Sequence, residues 1–240
     1  MRFRDRTQAG QLLAKNLKKY KDEDVIVYAL PRGGVVTALE IAKYLHAPLD
    51  LIITRKIGHP YQPEYAIAAT AENGHFVGSR GELVAVDQAW LEKEIKKQRQ
   101  EAVRRRKKYL HGRKITSPEG KIAILVDDGV ATGLTLRVGI IELKHYNPSK
   151  LIIAVPVLPR STANVITKEA DELIALEIPS DDSFLGAVGA YYDRFTQVED
   201  QEVMRILDTH DAWLQREKAQ SIFTVKNGKQ RYGLIDYDEP

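Results

Sequence analysis

The 240-residue sequence contains no cysteine. That excludes a disulfide framework, a thiolate nucleophile and a zinc–thiolate centre. No apolar run approaches the length of a bilayer span. The opening stretch Met1–Arg6 is charged and is not followed by an apolar segment. A secretory signal is therefore not expected, and the expected location is cytoplasmic. The six histidines are scattered with no i, i+4 pair, which argues against a metal site built from protein side chains. A Walker phosphate loop is ruled out because no Gly-Lys-Ser/Thr is present. Ser79, in Val77-Gly78-Ser79-Arg80-Gly81, does not form a nucleophile elbow. Nor is the charge one-sided: 36 Lys and Arg stand against 33 Asp and Glu, for a net +3. Any attraction to nucleic acid has to come from local clusters.

What is present is a chain rich enough in apolar residues, at 43%, to bury a core as one large domain or one domain with additions. Its most informative stretch is 122–135. The apolar run Ile122-Ala123-Ile124-Leu125-Val126 ends in Asp127-Asp128, and small residues from Gly129 to Thr135 lead into a helical pattern. This is how a buried parallel strand delivers its carboxyl end to a phosphate-gripping turn. Adjacent carboxylates cost solvation when buried unless they accept hydrogen bonds or face a cation. Sugar hydroxyls and hydrated Mg²⁺ are suitable partners. The turn offers backbone N–H groups, the hydroxyls of Thr132 and Thr135, and a helix N-terminus, which together suit a phosphate dianion. A sugar phosphate fits the spacing. The plain alternative is an ordinary crossover with a solvated Asp pair and a threonine cap.

The remaining chain alternates strand and helix. A helix is predicted over 7–21 with Thr7 as N-cap, and a buried strand over 25–30. The turn Pro31-Arg32-Gly33-Gly34 follows, then a helix through Leu45 and a strand over 48–54 that completes a βαβ unit. The stretch 55–65 has no period and predicts a mobile loop. Residues 66–71 and 74–78 predict a hairpin around Glu72-Asn73-Gly74. A long helix is predicted over 87–110, capped by Asp87. Strands at 151–157 and 172–178 flank a helix at 162–170. A loop at 179–197 and a helix at 199–217 come next, and residues 221–225 form a weak alternating patch. The expected fold is α/β, a doubly wound, mainly parallel sheet. It would occupy residues 1–218, with hood elements at about 55–86 and 179–197, a basic helix insertion at about 87–110, and a tail at 219–240. Ligands in such sheets bind beyond the carboxyl ends of the strands, where both Pro31–Gly34 and Asp127–Thr135 fall. The run Arg104-Arg105-Arg106-Lys107-Lys108 on the basic helix is either a solvated face or a phosphate-attracting surface.

The stretch from Ile124 to Thr135, apolar residues followed by two acids and Thr-Gly-x-Thr, resembles the PRPP-binding signature of type I phosphoribosyltransferases. Ala29-Leu30-Pro31-Arg32-Gly33-Gly34, Arg55-Lys56-Ile57-Gly58, the segment from Pro63 to Ala68, and Gly186-Ala187-Val188-Gly189 resemble the phosphoribosyltransferase-domain proteins of bacteria and archaea. The resemblance covers roughly residues 5–210 and leaves the C-terminal tail outside it. It implies transfer of the 5-phosphoribosyl group of PRPP to a nitrogen nucleophile, with pyrophosphate released through an oxocarbenium-like transition state. It places Asp127 and Asp128 on the ribose hydroxyls, and Gly129, Ala131, Thr132, Gly133, Leu134 and Thr135 around the 5′-phosphate. Pyrophosphate falls to Pro31, Arg32, Gly33 and Gly34, with Arg32 supplying charge and a non-proline cis peptide expected near Leu30–Arg32. Arg55 and Lys56 begin a flexible closing loop. Mg²⁺ is expected to arrive with PRPP, with Asp127 and Asp128 its candidate protein contacts and no dedicated metal site. A homodimer is the family-based expectation. Ala131 departs from the 6-oxopurine members, which carry an aspartate there, so a hypoxanthine/guanine acceptor is disfavoured. Phe184, Tyr191 and Tyr192 are candidate base stackers, or else they pack the hood onto the sheet. Two other functions remain open. One is a non-catalytic PRPP-sensing regulator that binds RNA or DNA through the basic helix, and the other a hydrolase that uses water as nucleophile.

Overall fold

The computed structural model describes residues 1–112 and 115–230, the last ten of these as helix backbone. Strands β1 (Val25–Ala29), β2 (Leu49–Leu51), β6 (Ile122–Val126), β7 (Lys150–Val157) and β8 (Glu172–Glu177) form a parallel sheet in the order β2-β1-β6-β7-β8. The continuous apolar runs of β1, β6 and β7 are explained by burial on both faces. On one face, α1 (Arg6–Asn16) and α2 (Gly33–Leu45) pack Leu13, Val35 and Ile41 against Val25 and Val27. On the other, α5 (Leu134–Lys144) and α6 (Arg160–Glu169) pack Leu136, Ile140 and Ile166 against Ile26, Leu125 and Ile153. Each such side chain, fully buried, contributes about 1.5–3 kcal/mol. The doubly wound expectation is therefore met. The register sets Ala29 beside Val126, so the loops leaving β1 and β6 emerge side by side.

Several local expectations change. The N-cap of α1 is Asp5, whose carboxylate accepts from Gln8 N at 2.9 Å, and not Thr7. The helix ends at Asn16, with a 3₁₀ turn over Lys18–Tyr20. The predicted loop at 55–65 is instead most of a hairpin between β3 (Thr54–His59) and β4 (Gln62–Ala71). With β5 (Phe76–Gly78) it makes a second, antiparallel sheet ordered β3-β4-β5. Gly58 and Pro63, which spoil the alternation in the sequence, sit at irregularities of this ladder. A Cβ on Gly58 would lie 2.1 Å from the Pro63 carbonyl oxygen, so only glycine fits. Arg55 and Lys56 are thus strand residues. After α3 (Arg80–Ala85) comes the long basic helix α4 (Gln88–Tyr109), capped by Asp87 as predicted. The last helix, α7 (Asp200–Gln230), continues past 217 and includes 221–225, the weak alternating patch. Residues 231–240 of the expected tail lie outside the described residues. Among the described residues no helix is long and apolar enough to cross a membrane.

Candidate active site

Two helices start at the shared edge of β1 and β6 without a side-chain cap. After β1, Leu30 N donates to Val126 O at 2.9 Å, the Pro31–Arg32 peptide is cis, and α2 begins at Gly33. After β6 come Asp127 and Asp128, then the turn to Gly133, and α5 begins at Leu134. Neither helix has a side chain bonded to its first N–H groups. Orphan donors at two neighbouring helix N-termini form an electropositive edge that accepts anions. The two loops also touch. A Cβ on Gly33 would lie 1.9 Å from Asp128 Oδ2, and one on Gly34 would lie 3.0 Å from Asp127 Cα. These glycines are present because the acids occupy the space a side chain would need.

The β6 loop is held firmly. Val130 N donates to Val157 O at 2.8 Å, Thr162 Oγ1 to Ala131 O at 2.9 Å, and Tyr192 Oη to Asp128 O at 2.6 Å. Gly129 and Gly133 take φ values of 148° and 75°, which side-chain-bearing residues rarely adopt. Thr132 is exposed, while Ala131 and Thr135 are half-buried. Asp127 keeps a partial opening to solvent, yet it sits deep enough in the protein that lost hydration raises its pKa well above the ordinary carboxylate value. The neighbouring Asp128 adds to this, and the Asp128 N–H, 2.8 Å from Oδ1, opposes it. Asp128 is paired: Arg6 Nε lies 2.7 Å from its Oδ2. Arg6 Nη1 also donates to Thr196 O at 2.7 Å, and its guanidinium sits 3.7 Å over the Phe195 ring. Nothing in the sequence marks Arg6 as a site residue. It lies 122 positions from Asp128, within a charged hexapeptide that also holds Arg2 and Arg4. Among the described residues, no three His, Cys, Asp or Glu side chains gather into a metal site.

Arg32 reaches from the β1 loop to the start of α7, 3.5 Å from both Asp200 Oδ1 and Glu199 Oε2. Asp200 also accepts from Lys108 Nζ at 2.7 Å and Tyr109 Oη at 2.6 Å, which holds its pKa down at about 2. Arg55 donates to Gln98 of α4 at 3.0 Å, and burial, then the nearby Arg105, lower its pKa. Lys56 pairs with Glu64 at 2.8 Å across the hairpin. Four cations at the end of the basic helix are ion-paired, of which Arg105 and Arg106 are largely covered while Arg104 and Lys108 stay exposed. Arg104 and Arg105 hold Glu101, Arg106 pairs with Glu72, and Lys108 pairs with Asp200.

The hood loop closes over the β6 turn, where Val188 fills the space beside Gly129. Tyr191 and Tyr192 are buried, at 5% and 3% exposure. Tyr191 lies against Phe184 with ring centroids 5.6 Å apart, and its hydroxyl accepts from Leu185 N. Tyr192 lies between Phe3 at 5.3 Å and Phe195 at 4.9 Å. The packing account of these rings fits the structure. Phe184, half-buried, belongs to the same cluster.

Comparison with known proteins agrees with the geometry. A model of the phosphoribosyl transferase domain matches residues 6–193. The Mycobacterium tuberculosis H37Rv protein "Putative phosphoribosyl transferase Rv0571c" is 39% identical over 210 residues, covering 86% of this chain and 46% of its own length. The MT0597 protein of strain CDC 1551 matches with the same figures. The chain thus spans less than half the length of these curated relatives. Among solved structures, TT1426 from Thermus thermophilus is 40% identical with a TM-score of 0.71, covering 86% of this chain and 98% of that one. The chain belongs to the phosphoribosyl transferase domain family.

Proposed function

We propose that the protein binds PRPP with Mg²⁺ and transfers the 5-phosphoribosyl group to a nitrogenous acceptor. The observation that carries this reading is the pair of uncapped helix N-termini set side by side at the β1 and β6 edges, with two carboxylates between them. The β6 turn receives the 5′-phosphate on its backbone N–H groups and on the hydroxyls of Thr132 and Thr135. Asp127 and Asp128 accept hydrogen bonds from the ribose hydroxyls. The Pro31–Gly34 loop receives the pyrophosphate, and Arg32 supplies charge where that leaving group forms. The C1–oxygen bond to pyrophosphate breaks as a bond from the acceptor nitrogen to C1 forms, and the acceptor loses its proton. Charge placed around an oxocarbenium-like transition state does the work, without a covalent nucleophile. One or two carboxylates plus substrate phosphates are the donor set Mg²⁺ prefers, and the ion would neutralise charge on the leaving pyrophosphate. Ala131 has no carboxylate to offer a purine ring, so the acceptor belongs outside the hypoxanthine/guanine group.

The joint substitution Asp127→Asn with Asp128→Asn is expected to weaken PRPP–Mg²⁺ binding by about 100-fold or more, by calorimetry. Unchanged affinity would sink the assignment. Folding is separable from function at Asp127. Its pKa is raised in the folded state, so that state holds the proton more tightly than the unfolded chain, and stability falls as pH climbs through the folded pKa. Asp127→Asn should therefore melt higher than the parent at pH 7, with the gain shrinking as pH falls through 4. Pyrophosphate release across a panel of nucleobases distinguishes the enzyme from its competitors. Release in water alone indicates a hydrolase. PRPP binding without release, joined to salt-sensitive RNA or DNA binding, indicates a regulator. The pairing of Arg104, Arg105, Arg106 and Lys108 with carboxylates weighs against the last.

A further inference from the structure

Asp128 is held at two points by one closed ring of side chains. Arg6 Nε donates to its Oδ2 at 2.7 Å, and the Arg6 guanidinium lies 3.7 Å over Phe195. Phe195 stacks on Tyr192 with centroids 4.9 Å apart at 29°, and the Tyr192 hydroxyl donates back to Asp128 O at 2.6 Å. The side chains of Arg6 and Asp128 are only 10% and 15% exposed, so little water screens the pair. Arg6 is itself braced. It is the first residue of α1, whose start Asp5 caps, and its Nη1 is tied to Thr196 O at 2.7 Å. Helix α1 lies so close to α2 that a Cβ on Gly10 would come 2.5 Å from Thr37 O. Helix α2 begins at Gly33, and a Cβ there would lie 2.9 Å from Arg6 Nε. Arg6 thus stands where the β1 loop and the acid pair of the β6 loop meet.

A covered ion pair adds little to stability, because lost hydration offsets the attraction. What this one fixes is the direction of a carboxylate. An ionised carboxylate has about four acceptor positions, and the Arg6 Nε–H takes one of them, so Asp128 keeps the capacity to accept from a ligand. We propose that Arg6 is a positioning residue for the phosphoribosyl transfer: it orients the Asp128 carboxylate toward the ribose hydroxyls and sets its distance from the Pro31–Gly34 loop. This rests on the PRPP reading and adds to it a residue of the first helix that acts through Asp128. The phosphate turn needs no help from Arg6, since Val157 and Thr162 hold it. Arg6 therefore serves the sugar and not the 5′-phosphate.

Calorimetry on the full-length chain compares Mg²⁺–PRPP, ribose 5-phosphate and inorganic phosphate. Arg6→Gln should weaken PRPP and ribose 5-phosphate by about tenfold, as for the loss of one hydrogen bond to a charged group, and inorganic phosphate by less than about twofold. In an Asp128→Asn background the same substitution should weaken PRPP by less than about twofold more, because a residue that acts through Asp128 then has no carboxylate to position. Phe195→Leu removes the face under the guanidinium at a ring that is 36% exposed, and it decides the matter should Arg6→Gln fail to fold. It should give the same selective loss, at about threefold. Equal losses for all three ligands, a full second loss in the Asp128→Asn background, or unchanged ribose 5-phosphate affinity in the folded variants overturns the proposal and leaves the PRPP reading standing. A parent chain that binds no PRPP overturns both.

Discussion

The two loops that meet at the β1–β6 edge are held in opposite ways. The β6 turn is fixed from every side: by the Val157 carbonyl, by Thr162, by Tyr192 from the hood, and by two glycines at positive φ. The β1 loop is fixed only at its strand end and by the close approach of Gly33 and Gly34 to the acids. Its charged side chain, Arg32, stands at 3.5 Å from two carboxylates, a distance at which little hydrogen bonding remains. A preformed turn suits a phosphate that stays on the sugar throughout. A loosely tethered arginine suits a leaving group whose charge grows and then departs.

This contrast can be broken at three places. The largest effect is expected at Gly33→Ala, where the new methyl would stand 1.9 Å from Asp128 Oδ2. The loops must part, at a cost of about 1–3 kcal/mol in stability, and PRPP binding should fall beyond detection. A variant that melts and binds like the parent would show that the loops are not locked together. Next, Thr162→Val removes the bond to Ala131 O, which is worth about 1 kcal/mol. PRPP affinity should drop about fivefold by calorimetry if the turn depends on being preformed; an unaltered value would mean that it does not. The smallest effect is expected at Asp200→Asn, on the loose side. The Asp200 pKa is held at about 2, chiefly by Lys108 and Tyr109, against an ordinary 3.8. A depressed carboxylate pKa stabilises the fold above the unfolded value, and that stability is lost as pH falls towards about 2. The variant should melt lower than the parent at pH 7, and the gap should narrow below pH 4. PRPP affinity should move only two- to threefold; a collapse would mean that Arg32 is clamped.

The main sheet was legible because burial on both faces leaves long apolar runs, as in Val25–Ala29 and Ile122–Val126. The acid pair and the glycines of both loops were legible because they lie next to those runs. The hood hairpin was not: in Thr54-Arg55-Lys56-Ile57-Gly58-His59 only two residues are buried, and the bulge at Gly58 hides the alternation. The end of α7 was missed because 221–225 alternates like a strand inside a helix. The ion pairing of the α4 cations was hidden as well. Glu72 and Asp200, which hold Arg106 and Lys108, lie 34 and 92 positions away. Arg6 was missed for the same reason, since its role is made by tertiary pairing and has no local pattern.

That pairing also sets an order of assembly. Phe3 N donates to Tyr191 O at 2.7 Å, Asp193 N donates to Phe3 O at 2.8 Å, and Arg6 reaches Thr196 across 190 positions. During synthesis, at about 5–20 residues per second, the segment holding Phe3 and Arg6 leaves the ribosome ahead of the sheet and is tied down after it. Every strand of the parallel sheet, through Glu177, is translated before the hood residues that hold Phe3 and Arg6 exist. The acid pair is made early but cannot receive its settled arginine until the hood has followed it out, so the site settles after the sheet that carries it.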